Sequence, residues 1–141
     1  MSDPSIPNDS IRLSWRSILA PPAAPYRYAE WVRDLSDRSG VYLIRADWRR
    51  FDDELLYIGE SHTHAEPGRK RSFRGLYRTL TRHFNTANWT QGLTYDPDDV
   101  LVAVVLTPPE LAIDYQDALI ARYHPRDNEL ANQLRAEAFG V

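Results

Sequence analysis

GVYLIRADW, residues 40–48, and LLYIGES, residues 55–61, decide the fold. Both are rich in β-branched and aromatic residues, which suit a pleated, half-buried surface. Between them lies the polar connection RRFDDE (49–54). The pattern predicts two strands joined as a hairpin with a long loop. Gly59, near the end of the second strand, lets another group approach the backbone closely.

Downstream, HTHAEPGRKR (62–71) reads as an irregular basic loop. Ser72 is an N-cap residue type, and FRGLYRTLTRHF (73–84) is the helix it opens. Leu76, Leu80 and Phe84 share one face of that helix, and Arg74, Arg78 and Arg82 share another. The loop NTANWTQGLTYDPDD (85–99) follows. VLVAVVL (100–106) is an unbroken apolar run, which predicts a central strand buried on both faces. Pro108 and Pro109 introduce a helix over 109–123, since proline is tolerated in a first turn. NELANQLRAEAF (128–139) predicts a final helix. Upstream, residues 1–10 read as loosely draped, SWRSIL (14–19) as a short helix ended by APPAAP, and YAEWVRDLSD (28–37) as another. The expected architecture is an N-terminal extension over 1–38, then one domain over 39–141. Its element order is β-β-α-β-α-α, an α/β (α+β) arrangement with a small three-stranded sheet, partly antiparallel and flanked by helices.

At 141 residues the chain fits one domain with a real core. No apolar run reaches the ~18 residues a membrane span needs. The polar start, MSDPSIPNDS, lacks a signal-peptide pattern, and there is no cysteine for disulfides or thiolate metal sites. These features suit a cytoplasmic protein. The net charge of −3 argues against indiscriminate nucleic-acid binding. It hides an asymmetry, because residues 67–95 contain no acid while Arg69, Lys70, Arg71, Arg74, Arg78 and Arg82 are all basic. A local basic stripe matters more to a polyanion than the mean does. The blander reading of the stripe is one solvated helix face.

Four elements appear in a fixed order: GVY at 40–42, YIG at 57–59, the arginine helix, and Gln116 followed by Leu119, Ile120, Pro125 and Asn128. The set resembles the GIY-YIG nuclease family over about residues 39–128. Singly, Tyr42 and Tyr57 read as ordinary sheet tyrosines; it is the ordered combination that carries the resemblance. LIARYHPRDN (119–128) is similar to the family's C-terminal motif, in which a glutamate stands three residues before the Leu-Ile pair. Here that position is Gln116.

Phosphodiester hydrolysis needs an activated water, charge relief at phosphorus and help for the departing oxygen. Arginine supplies charge relief without deprotonating, and a divalent cation does so given a hard anionic ligand. A tyrosine beside a cation can ionise below its usual range. The resemblance therefore implies DNA as ligand and Mg2+ or Mn2+ as the ion in the active form. It implies that Tyr42 and Tyr57 set the water, that Arg78 meets the phosphate, and that position 116 holds the ion when it is a glutamate. Asn128 matches the motif asparagine and braces the site. Family members often show an arginine four residues before a histidine. His83 is present, but four before it stands Thr79; a one-residue slip, with Arg82 in the histidine's place, would bring Arg78 into register. Arg69, Lys70, Arg71, Arg74 and Arg82 are the expected phosphate contacts. His62 and His64 read as loop residues facing DNA or as a metal pair, and Glu60 as a polar strand end or a substitute ligand.

Gln116 shares a helix face with Ala112, Leu119, Ile120 and Tyr123, which predicts a half-buried side chain or one lining a cavity. Asp114 and Asp117 point elsewhere. Glutamine keeps glutamate's shape without its charge, and its amide is a poor sole anchor for Mg2+. Either the chain is an inactivated copy of an active endonuclease or it is a natural variant that binds DNA without cutting. The intact remainder of the motif favours the first. The chain has little beyond this core for duplex recognition, which suggests relaxed specificity, an unpaired or structured substrate, or a targeting protein partner.

Overall fold

The computed structural model describes residues 13–62, 75–85 and 94–128. Its elements run α1 (Glu30–Arg33), β1 (Gly40–Ala46), β2 (Leu55–Ser61), α2 (Gly75–Thr81) with a 3-10 turn over Arg82–Phe84, β3 (Val100–Leu106), and α3 (Ala112–Tyr123) entered by a 3-10 turn over Pro109–Leu111. The fold is mixed α/β, with one three-stranded antiparallel sheet. The expected helix over 128–139 beyond its first residue, the basic loop residues Arg69, Lys70 and Arg71, and Arg74 and His64 lie outside the described residues. Among the described residues, no helix is long and apolar enough to cross a membrane.

The strand order is β2-β1-β3, with β1 antiparallel to both neighbours. The centre of the sheet is therefore β1, not β3 as its apolar run predicts. An unbroken apolar run reports burial on both faces, and β3 obtains that burial at the edge. Residues 13–19 lie along its outer side, where Arg16 and Val102 exchange backbone hydrogen bonds of 3.0 and 2.9 Å. Val100–Ala103 are buried as a result, whereas Leu106, beyond this cover, is 47% exposed. The same contact corrects the expected helix at 14–19. That stretch is extended, bridging Val102 through Arg16 and Tyr28 through Leu19. Two strand-like partners outweigh the modest helix propensity of Ser, Trp and Ile. Residues 13–38 also place Ile18, Val32 and Leu35 in the core.

Alternation along β1 divides the core into two layers. Tyr42 and Ile44 face α2, with Leu76, Leu80 and Phe84 packed beside them. These three are the predicted apolar face of the helix, each worth about 1.5–3 kcal/mol when fully buried. Val41 and Leu43 face the other way, against Leu119 of α3 and Ile58 of β2. Arg78 and Arg82 lie on the exposed side of the α2 segment.

Strand β2 is an edge, and edges leave backbone groups without partners. Asn128 fills part of this one. Ile58 N–H donates to Asn128 Oδ1 at 2.9 Å, and Asn128 Nδ2 donates to the Ile58 carbonyl at 2.8 Å. The side chain substitutes for a fourth strand at one position. Asn128→Ala leaves both buried groups unpaired and is expected to cost about 2–4 kcal/mol, read by urea unfolding. Asn128→Asp should cost nearly as much, because a carboxylate cannot donate to the Ile58 carbonyl.

Candidate functional site

Pairing in the hairpin puts Tyr42 opposite Gly59 and Ile44 opposite Tyr57. Cross-strand partners share a face, so both tyrosines lie under α2. Their rings are 6.1 Å apart. His83, just beyond α2, reaches down to them: its Nε2 is 2.7 Å from the Tyr42 hydroxyl, and its ring centroid is 4.7 Å from that of Tyr57. Gly59 makes this possible, since a Cβ there would stand 2.3 Å from the Tyr42 Cζ and hydroxyl. The tyrosine ring occupies the space over the glycine.

A further residue, Tyr95, completes the cluster. It packs against His83 and Phe84, its backbone N–H donates to the His83 carbonyl at 2.7 Å, and its hydroxyl donates to buried Asp127 at 2.6 Å. Burial, together with the bond to Asp127, pushes its phenol far above the usual range. Neither Tyr95 nor Asp127 was legible as a site residue. Tyr95 sits in a polar loop with no periodicity to mark it, and Asp127 was masked by the asparagine beside it.

Tyr42 is 1% exposed. Burial raises its phenol well above the ordinary range, helped by Tyr57, Tyr95 and Glu60 nearby and by its hydrogen bond with Tyr57. Burial thus favours the protonated phenol, which suits the positioning role over the activating one, and the Tyr42 hydroxyl holds His83 at 2.7 Å. Tyr57 is half-buried, the more exposed of the two tyrosines. Tyr42→Phe removes one buried hydroxyl and its hydrogen bond with His83; the expected loss is about 1–3 kcal/mol in thermal or urea unfolding, with the fold retained.

The register slip proposed for the helix is not adopted. His83 itself, and not Arg82, meets Tyr42, so the position four residues earlier is Thr79. Its hydroxyl donates to Ser61 Oγ at 3.0 Å, above the same sheet face as Tyr57 and Gly59. Arg78, one residue back, is exposed.

Gln116 is half-buried on α3, as its helical face predicts, but α3 packs on the opposite side of the sheet, through Leu119. Among the described residues, the polar contact of its amide is Asp117 Oδ1, at 3.3 Å. Glu60 and His62 pair with each other at 2.8 Å. Among the described residues there is no group of three or more His, Asp or Glu side chains able to hold a metal ion. With a neutral amide at 116, the described donor set does not fit Mg2+ or Mn2+.

The fold thus defines a mixed α/β domain in which two hairpin tyrosines, Tyr42 and Tyr57, meet His83 from the turn after α2. No protein-family model and no curated protein matches this sequence.

Proposed function

We propose that this chain is a DNA-binding domain on a GIY-YIG-type endonuclease scaffold, with phosphodiester hydrolysis disabled at Gln116, whose helix lies across the sheet from the Tyr42–Tyr57–His83 cluster instead of completing it. The observation that carries the reading is the junction of Tyr42, Tyr57 and His83 over Gly59. These are the tyrosines of the two strand motifs and the histidine of the helix, brought together from three separate elements. The assignment draws on the sequence resemblance, and the cluster gives it chemistry. Tyr42 holds His83, and half-buried Tyr57 stands beside them as the residue that would meet a water or a phosphate oxygen. Arg78 and Arg82, exposed on the α2 segment, supply cations for the backbone. Cytoplasmic location, and a protein partner that supplies targeting, belong to the same proposal.

The test is a supercoiled-plasmid nicking assay with Mg2+ or Mn2+, comparing the chain with Gln116→Glu. The chain as it stands should cut weakly or not at all, and the variant should gain metal-dependent nicking. Equal, robust cleavage by both refutes the role given to position 116.

A second reading has its own observation. Thr79, bonded to Ser61, stands where the family pattern asks for arginine. A chain lacking both the guanidinium and the carboxylate is a binding module with a degenerate site. That reading predicts DNA affinity that falls steeply with salt and no cleavage from Gln116→Glu alone.

A further inference from the structure

Two groups of arginines among the described residues differ in their partners. On the hairpin side each is matched by a carboxylate: Arg45 by Asp53, Arg49 by Asp47, Arg50 by Asp99, and Arg126 by Glu54 and Asp127. On the side formed by residues 26–33 and α2, no carboxylate among the described residues pairs with Arg27, Arg33 or Arg78. Arg27 and Arg33 instead lie over aromatic rings, as Arg45 and Arg50 do in addition to their carboxylates. The Arg33 guanidinium lies 3.7 Å from the Tyr26 centroid, and Arg27 lies 5.5 Å from that of Tyr28. Contacts join these into one surface. Arg33 Nε donates to the Tyr28 carbonyl at 3.2 Å, and the Tyr28 ring meets Tyr77 edge to face at 6.1 Å, next to exposed Arg78.

We propose that this face is a platform for single-stranded nucleic acid, with bases stacking on the Tyr26–Arg33 pair and Arg27 and Arg78 meeting phosphates. The inference rests on the nucleic-acid reading above and names the form of ligand that reading leaves open. A guanidinium over a ring, with Nε given to the Tyr28 carbonyl, keeps its terminal N–H groups for a phosphate, and among the described residues no carboxylate pairs with it. Tyr26 is 46% exposed although its ring is large and planar. Planar groups presented this way are matched by unstacked bases, whose faces are accessible; a duplex hides them. The four-residue α1 offers no helix long enough to read a major groove. The hairpin side, neutralised pair by pair, lacks this charge.

The test is metal-free fluorescence anisotropy on the full chain at low salt. Labelled single-stranded DNA, single-stranded RNA and duplex DNA of one sequence are the probes. One or both single strands should bind at least about tenfold tighter than the duplex. Tyr26→Ala and Arg33→Ala should each weaken single-strand binding about tenfold, the loss of one stacked base. Arg33→Lys, which keeps the charge but not the plane, should lose a similar factor. Arg49→Gln removes the same charge from the hairpin side and should change affinity by less than about twofold, since Asp47 already neutralises it. Tyr26 is exposed, so its variant should keep the parent's thermal unfolding midpoint. Preference for the duplex, unchanged affinity in Tyr26→Ala and Arg33→Ala, or equal losses in Arg49→Gln and Arg33→Ala overturns the platform while leaving the DNA-binding proposal standing. No binding of any probe by the unsubstituted chain overturns both.

Discussion

Gly59→Ala is expected to destabilise the protein by about 3 kcal/mol or more, at or above the usual upper range for overpacking a core. The new Cβ would stand 2.3 Å from two atoms of Tyr42, where real contacts do not occur. Yielding is hard on both sides. Gly59 sits in a strand paired to β1, and the Tyr42 ring is buried, stacked near Tyr57 and tied to His83. The ring must swing away, and the Tyr42–His83 hydrogen bond goes with it. Two measurements check this: urea unfolding for the loss, and a double-mutant cycle for its cause. Combining Gly59→Ala with Tyr42→Leu removes the ring that the methyl strikes, so the pair should cost clearly less than the sum of the single changes. A Gly59→Ala protein within about 0.5 kcal/mol of the parent, the scale of an ordinary surface change, would show that the ring does not lie over the glycine.

That glycine also shows what could be read from letters alone. A glycine inside a strand announces that something comes close, and both strand patterns were plain, so the hairpin and the approach to Gly59 were foreseeable. What approaches was not. The tyrosine lies seventeen residues earlier in sequence, opposite Gly59 only because of the hairpin register. The apolar face of α2 was equally legible, because period 3.6 survives any tertiary context that buries one side. The place of β3 was misread for a physical reason: a continuous apolar run measures cover, and the N-terminal segment supplies cover at an edge. The extended course of residues 14–19 was hidden likewise, since its hydrogen-bond partners are a distant strand and a later turn. The buried state of Tyr42 was beyond sequence reasoning too. A motif tyrosine suggests an accessible phenol, whereas Tyr57, His83 and the apolar face of α2 come from separate elements to enclose it.

The second large effect concerns chemistry restored at two positions. Gln116→Glu supplies the hard anionic oxygen a divalent ion requires, and a bound ion contributes several kcal/mol of transition-state stabilisation, about a thousandfold in rate. If Gln116 alone disables the scaffold, this single change should raise Mg2+-dependent nicking by roughly that factor. Thr79→Arg should then add about a further hundredfold if the guanidinium must come from position 79; if exposed Arg78 already meets the phosphate, it should add nothing. Thr79 is half-buried and its hydroxyl is spent on Ser61 and the Gly75 carbonyl, so the longer side chain must leave that niche and extend past Ser61 along the sheet face. The order of gains separates the two functional readings. A gain from Gln116→Glu alone marks an endonuclease stopped at one residue. A gain only in the double variant marks a module that has lost two groups and retains binding. No metal-dependent cleavage in either, with both variants folded and still binding DNA, would remove hydrolysis from the account of this fold and leave Tyr42, Tyr57 and His83 as a structural cluster.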